Sequence, residues 1–270
     1  MKLLTINVHA WQEENPHMKI KQLASKIHNS RYDAIALQEV SQHKEAPYLY
    51  NDIRSDNYGY LLQQELHKLG SKDYELVWDV SHYGYDVYEE GIALLLRHPI
   101  NYSDSFYVTE SESIDYWKSR KIVSVSCTIE GVPMTLFSCH LGWWGDEEES
   151  YVSQVDSLLS YVQGDRLTFL LGDFNASDMK RGEGYDYIKK YGWIDTHEEA
   201  VDQLGNATVE GNIAGWDHNK EGIKIDHIFC NQPIEVLRSE IVLDGGKSPV
   251  VSDHFGLEIT CTIGKGKRDK

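Results

Sequence analysis

The chain has 270 residues, enough for one large domain or two small ones with a sizeable core, since domains run about 100–200 residues. Its 41% apolar and 26% charged side chains are those of an ordinary globular protein and exclude a disordered or fibrous one. With 26 basic against 43 acidic residues the formal charge is −17, which argues against a grip on nucleic acid, because that grip depends on Lys and Arg neutralising phosphates.

Residues 3–8 are apolar enough for a buried strand. Asn15-Pro16 then supplies a cap and a first-turn proline, and Ile20, Leu23, Ala24 and Ile27 follow at helical spacing. Residues 33–37 predict the next strand, closed by Gln38-Glu39. A helix is expected over 58–69, strands over 74–80, 91–96, 121–129 and 133–138. The acidic run Asp146-Glu147-Glu148-Glu149 suits a helix start, with the helix reaching about residue 162. A short strand at 167–171 ends in Gly172-Asp173-Phe174-Asn175, and late strands are expected over 224–230, 234–243 and 255–262. No repeat or Pro/Ser-rich linker divides the chain. The alternation predicts one mixed-sheet α/β domain over residues 1–263, followed by a basic, disordered tail over 264–270.

No apolar run approaches the roughly 18 residues of a membrane span, and the first strand leaves no room for a signal peptide. Cys127, Cys139, Cys230 and Cys261 are isolated, without C-x-x-C spacing, and read as reduced core residues. A cytoplasmic setting is expected.

Four times a polar group closes an apolar strand: Asn7, Glu39, His140, and Asp173 with Asn175. Ligands collect at the carboxyl ends of strands in open α/β sheets. Singly each has a bland reading, because loop starts are polar and Gly-Asp-x-Asn is a common turn. Their order along the chain is harder to dismiss. Asn7, Leu37-Gln38-Glu39-Val40, Gly91-Ile92-Ala93-Leu94-Leu95, Ser138-Cys139-His140-Leu141, Gly172-Asp173-Phe174-Asn175-Ala176, Ile225-Asp226-His227-Ile228-Phe229 and Ser252-Asp253-His254-Phe255-Gly256 follow one another.

That series resembles the endonuclease/exonuclease/phosphatase superfamily of metal-dependent phosphoesterases, over residues 3 to about 260. The resemblance implies a four-layer α/β/β/α sandwich, two packed mixed sheets covered by helices. It also implies roles. Glu39 is the main metal ligand with Asn7 beside it and Asp253 helping. Asp173 is the general base for the attacking water, and Asn175 positions water or a phosphate oxygen. His254, oriented by Asp226, donates to the phosphoryl oxygens, and His140 is a second histidine on the phosphate side. Glu90 stands where deoxyribonucleases carry the carboxylate partner of that histidine. Oxygen-rich ligands without cysteine suit Mg2+ or Mn2+. Arg120 reads equally as a phosphate clamp or a surface arginine. Trp11, Tyr83, Tyr85, Tyr88, Trp143, Trp144 and Trp216 fall in expected loops, and the Trp143-Trp144 pair suits a sugar platform as well as it suits a loop anchor.

Departures narrow the substrate. Abasic-site endonucleases carry tyrosine where this chain has His140, and inositol polyphosphate phosphatases carry arginine where it has His227. A closer likeness is to bacterial proteins of the maltose 6′-phosphate phosphatase type, carried by residues 4–14, 82–91 and 117–121. The expected activity is therefore hydrolysis of a small phosphorylated sugar by in-line attack of water. A DNA or RNA nuclease is the alternative. A non-catalytic binding module is disfavoured, because none of the motif residues is missing.

Overall fold

The structure is a computed structural model and describes residues 1–217 and 219–264; the expected basic tail, from Lys265 onward, lies outside the described residues. The chain opens with β1 (Lys2–Asn7), a 3-10 turn at Ala10–Gln12, α1 (Pro16–Ser30) and β2 (Ala34–His43). A small hairpin, β3 (Tyr48–Tyr50) and β4 (Ile53–Arg54), precedes α2 (Tyr58–Lys68). Five strands follow: β5 (Glu75–Gly84), β6 (Tyr88–Leu96), β7 (Ile100–Tyr107), β8 (Lys121–Ile129) and β9 (Val132–His140). Next come α3 (Tyr151–Ser160), β10 (Leu167–Asp173), α4 (Gly184–Lys189), β11 (Ile194–Asp195) and β12 (Asp202–Leu204). The last strands are β13 (Asp226–Cys230), β14 (Glu235–Val242) and β15 (Gly256–Thr262).

Seven strands form one sheet in the order β12-β14-β15-β1-β2-β6-β5, and six form a second in the order β11-β13-β10-β9-β8-β7. Both are mixed. β1–β2, β12–β14 and β9–β10 are parallel, and the other pairs in the two sheets are antiparallel. Side chains alternate across each strand, so a central strand such as β1 sends Leu3 to one face and Leu4 to the other. Leu3, Ala36, Leu94 and Ile259 meet Val123, Leu136, Phe169 and Ile228 between the sheets. Leu4, Ile6, Ile35 and Leu37 pack outward under Ile20, Leu23 and Ile27 of α1 and Leu62 and Leu66 of α2. Phe137, Leu170 and Phe229 pack outward under Val155 and Leu158 of α3 and Tyr185 and Ile188 of α4. The result is the four-layer sandwich, its central strands apolar on both faces because both are covered. Each such buried side chain contributes about 1.5–3 kcal/mol.

Several expectations need correcting. β2 does not end at Glu39 but runs on to His43, with a register shift between Leu37 and Val40 where Glu39 takes φ 54°. The acidic run precedes α3 and does not open it. Ser150 caps the helix through Ser153 N, while Glu149 accepts the N–H groups of Glu110 and Ser111. Tyr83 and Tyr88 lie in β5 and β6, not in loops. β7 is not apparent in the sequence, because most of its residues are solvent-facing and polar. The short elements β3, β4, β11, β12 and α4 escape it as well, being too brief to show a period. Among the described residues, no helix is long and apolar enough to cross a membrane.

Candidate active site

Strand register assembles the centre of the site. Parallel pairing sets His140 of β9 beside Asp173 of β10, and antiparallel pairing sets Asp226 of β13 opposite Asp173 on the other side. Three polar residues thus stand in a row across adjacent strands at one end of the six-stranded sheet. Gly172 is required just before them: a Cβ there would sit 1.8 Å from the carbonyl oxygen of Cys139. After Asp173 the chain turns, with Asn175 in the left-handed region at φ 46° and its N–H donating to Asp173 Oδ1 at 2.9 Å. From the facing sheet, Asn7 at the end of β1 donates through Nδ2 to Glu39 Oε1 at 2.8 Å and to Asp173 Oδ2 at 3.2 Å. One side chain therefore bridges the two sheets' carboxylates.

His140 Nε2 and His254 Nε2 approach the same oxygen, Asp173 Oδ2, at 3.6 and 3.7 Å. His254 Nδ1 bonds Asp226 Oδ2 at 2.9 Å, which fixes the ring and aims Nε2 at Asp173. Burial alone would favour a neutral His254, but Asp226 and Asp173 outweigh it and raise the pKa to about 10, so the ring is an imidazolium. Asp173 moves the other way. Burial first, then repulsion from Asp226, pushes its carboxyl up to about 6, against the pull of His254 and the Asn175 and Asn7 hydrogen bonds. His140 is held well below its ordinary value by burial, with Arg120, His82 and His254 adding to the effect, and is neutral.

Glu90 lies in the same site but not in the expected pairing. Its Oε1 faces His82 Nε2 at 3.2 Å, and His82 Nδ1 is tied to Ser119 O at 3.0 Å, so His82 and not His140 is its partner. The protruding backbone at Glu39 is buttressed by Trp78, whose Nε1 donates to Val40 O at 2.8 Å. Burial, then repulsion from Glu90, pushes the Glu39 carboxyl up to about 7. A cation beside these two carboxylates relieves both penalties, and Asp226 Oδ1 is buried without a hydrogen-bond partner while Asp226 Oδ2 is paired with His254. The donors are oxygens, which fits a hard divalent ion. Among the described residues, two groups bring three ligand-type atoms within 4.8 Å: Asp173, Asp226 and His254, and His9, Glu13 and Asp253. Glu39 belongs to neither, and Glu13 is already paired with Lys19.

These residues open into a cavity of about 330 Å3. Its lining combines the polar His9, Glu39, Glu90, Arg120, His140, Asp173, Asn175, Asp253 and His254 with Tyr85, Trp117, Trp143, Ile213 and Ala214. Of the expected platform pair only Trp143 reaches the cavity. Trp144 turns away and packs on Tyr151 and Tyr187, because it sits over the α3 and α4 layer. Trp11 likewise serves as an anchor, packed on Tyr58 and donating to Ser41 O at 3.1 Å. His9, His82, Trp117, Ile213 and Ala214 join the site without having been expected there from sequence. His9 sits two residues after Asn7 and could have been found by that spacing; nothing local signals the others. Trp216, expected in a loop next to a site motif, donates through Nε1 to Asn175 Oδ1 at 3.0 Å.

The chain belongs to the Endonuclease/Exonuclease/phosphatase family, which matches residues 5–254. Among solved structures it is similar to an endonuclease/exonuclease/phosphatase family protein from Leptotrichia buccalis, with 37% identity, a TM-score of 0.91, and coverage of 97% of this chain and 100% of that one. A mannosyl-6-phosphatase from Bacteroides thetaiotaomicron shares the fold at 16% identity and TM-score 0.73, covering 97% and 100% of the two chains. A TDP2 from D. rerio, complexed with a single-strand DNA product, shares it at 16% identity and TM-score 0.67, covering 97% and 99%. Among curated proteins none matches. The family's members are metal-dependent phosphoesterases, and this chain is a phosphoesterase of that superfamily.

Proposed function

We propose that the protein is a Mg2+- or Mn2+-dependent phosphomonoesterase acting on a small phosphorylated sugar, a hexose or disaccharide phosphate, by in-line attack of water. The observation that carries this reading is Asp173: a buried carboxylate near neutrality, approached by His140, His254 and Asn7, at a cavity of about 330 Å3. A cavity that size is at the small end of ligand sites and suits a sugar and its phosphate better than a duplex.

In this reading Asp173 takes the proton of the attacking water, and a pKa near the working pH is what a general base needs. Asn175 gives one amide hydrogen to Leu141 O at 3.0 Å and accepts from Trp216, leaving its second amide hydrogen for water or a phosphoryl oxygen. His254, held charged by Asp226, donates to a phosphoryl oxygen where negative charge builds up. His140 offers a neutral donor beside it. Glu39, Asn7 and Asp253 would hold the metal, and the Asn7 carbonyl, which accepts from His9 N–H at 3.1 Å, has a second lone pair free. A bound divalent ion neutralises charge on the phosphoryl group. Glu90, fixed by His82, sets the charge beside Glu39, and Arg120 and Trp143 face the substrate.

The alternative, a nuclease, has less support. Sugar phosphates and DNA both occur in the names of proteins on this fold, so the fold does not choose between them. Charge does. Lys118 is paired with Asp146 and Glu148, Lys121 with Asp79, and Arg181 with Asp186, so these cations are largely neutralised. The four free, buried cysteines support a reducing, cytoplasmic setting. Phosphate release by substituted proteins tests the roles. Asp173→Asn should lose about 10²–10⁴-fold in kcat, and His254→Ala about 10²–10³-fold. Activity of Asp173→Asn within a few-fold of the parent would remove Asp173 as the base.

A further inference from the structure

We infer that Arg120 makes the cavity select the dianion of a phosphate monoester over the monoanion of a diester; this rests on the phosphoesterase reading above and sharpens its substrate class. Arg120 is 5% exposed, at the end of the segment leading into β8, and its backbone is pinned there: its N–H donates to Thr109 Oγ1 at 2.9 Å and its carbonyl accepts from Val108 at 2.9 Å. The guanidinium lines the cavity and lies 5.5 Å from the ring centroid of Trp143. Its Nε is buried with no hydrogen-bond partner, and among the described residues the guanidinium forms no ion pair. Glu90, Glu39, Asp173 and Asp146 act on it through space without contact. A buried, unpaired guanidinium is a costly thing to maintain, and structures keep one where an anion arrives to pair with it.

The rest of the cavity indicates which anion. Arg120 and His254, whose ring is fixed through Nδ1 by Asp226 Oδ2 at 2.9 Å, line one cavity as two donors. A monoester carries a charge near −2 at neutral pH and three terminal oxygens. Two of these match a guanidinium fork, and the third remains for His254. A diester carries one charge and two terminal oxygens, so it cannot fill the guanidinium fork and still offer an oxygen to His254. The wall behind Arg120 is tight. Gly215 lies so close to Trp143 that a Cβ would sit 2.1 Å from the indole Nε1, which leaves the Trp143 side little freedom to yield to an added arm.

The test compares p-nitrophenyl phosphate with bis(p-nitrophenyl) phosphate on the full chain with Mg2+, using the parent, Arg120→Met and Arg120→Lys. Arg120→Met should lose about 10²–10³-fold in kcat/KM for the monoester. Its loss on the diester should be at least about tenfold smaller, and lysine should recover only part of the monoester rate, because it supplies charge without the fork. The melting temperature of Arg120→Met should fall only slightly, since the guanidinium forms no ion pair and only through-space attraction to Glu90, Glu39 and Asp173 is lost. Equal losses on both esters would overturn the inference, as would a large fall in melting temperature that accounts for the loss. If the parent cleaved neither ester, the proposed activity would fail, yet Arg120 could still be judged by calorimetric binding of inorganic phosphate. Weakened binding in Arg120→Met supports its role; unchanged binding ends it.

Discussion

The indole Nε1 of Trp216 donates to the side-chain oxygen of Asn175 at 3.0 Å, joining the segment before β13 to the turn after β10. Lys180 covers the same indole, with Nζ 4.7 Å from the ring centroid. The Asn175 amide is therefore held at both ends, by Leu141 O and by Trp216, and cannot rotate without losing a bond. Trp216→Phe keeps a ring under Lys180 and removes the donor. A single neutral hydrogen bond is worth about 0.5–1.5 kcal/mol, so kcat should fall about 3–10-fold with KM nearly unchanged. Steady-state kinetics check this, and a rise in KM alone would show that Trp216 touches substrate and does not position Asn175.

Lys224 is 1% exposed, with Nζ 2.8 Å from Asp195 and 3.3 Å from Asp178. It ties the chain just before Asp226 to the segment just after Asn175. Lys224→Met leaves the buried Asp195 carboxylate with only the Tyr185 hydroxyl, the His197 N–H and His227 beside it, so the protein should lose about 3–5 kcal/mol. Removing the exposed Lys68 from its pair with Glu65 should cost less than about 1 kcal/mol. Urea unfolding of the two variants separates these cases, and similar midpoints would contradict the assignment.

Acid should weaken the protein partly through Asp33. Burial by itself would raise its pKa, but hydrogen bonds from His98 and the Lys2 N–H, with the charge of Arg97, hold it below the ordinary carboxylate value. A depressed folded pKa gives stability that is fully present above the unfolded value, about 3.9, and is lost as the pH falls through the folded one. Asp33→Asn should therefore cost about 1–3 kcal/mol at neutral pH. The gap to the parent should close as the pH drops below about 3.9. Unfolding curves across that range would count against this origin if the gap stayed constant.

Much of the fold and of the site is legible in the amino-acid sequence, for identifiable reasons. Buried central strands such as β1, β8 and β10 read as apolar runs, and motif residues placed at their ends by register keep their order in the chain. What stays hidden depends on contacts between distant segments. The partnership of Glu90 with His82 runs across the β5–β6 pair, where a register shift between Val80 and His82 turns the histidine toward the glutamate. Glu39 reads as a strand end because the sequence carries no sign of the irregularity that lets β2 continue past it. Trp143 and Trp144 are adjacent in sequence, yet one faces the cavity and the other the helical layer.

Metal should be needed both for turnover and for part of the stability. Chelation with EDTA should abolish phosphate release, and Mg2+ or Mn2+ should restore it. Because the ion binds the folded state, Mg2+ at about 100 times its Kd should stabilise the protein by about 2.7 kcal/mol. In Glu39→Ala that stabilisation should shrink and activity should return only at raised metal concentration. Full activity after exhaustive chelation would rule out the metal.

The central claim, a phosphomonoesterase for small sugar phosphates, is tested most directly by offering sugar and nucleic acid side by side. With Mg2+ present, phosphate release from hexose and disaccharide 6-phosphates is measured against plasmid nicking and single-strand degradation by the same preparation. The formal charge of −17 and the paired Lys118 and Lys121 predict rapid turnover of a sugar phosphate, little or no DNA cleavage, and no retention on DNA at low salt. Efficient metal-dependent DNA cleavage with no turnover of any small phosphomonoester would contradict the account and favour the nuclease.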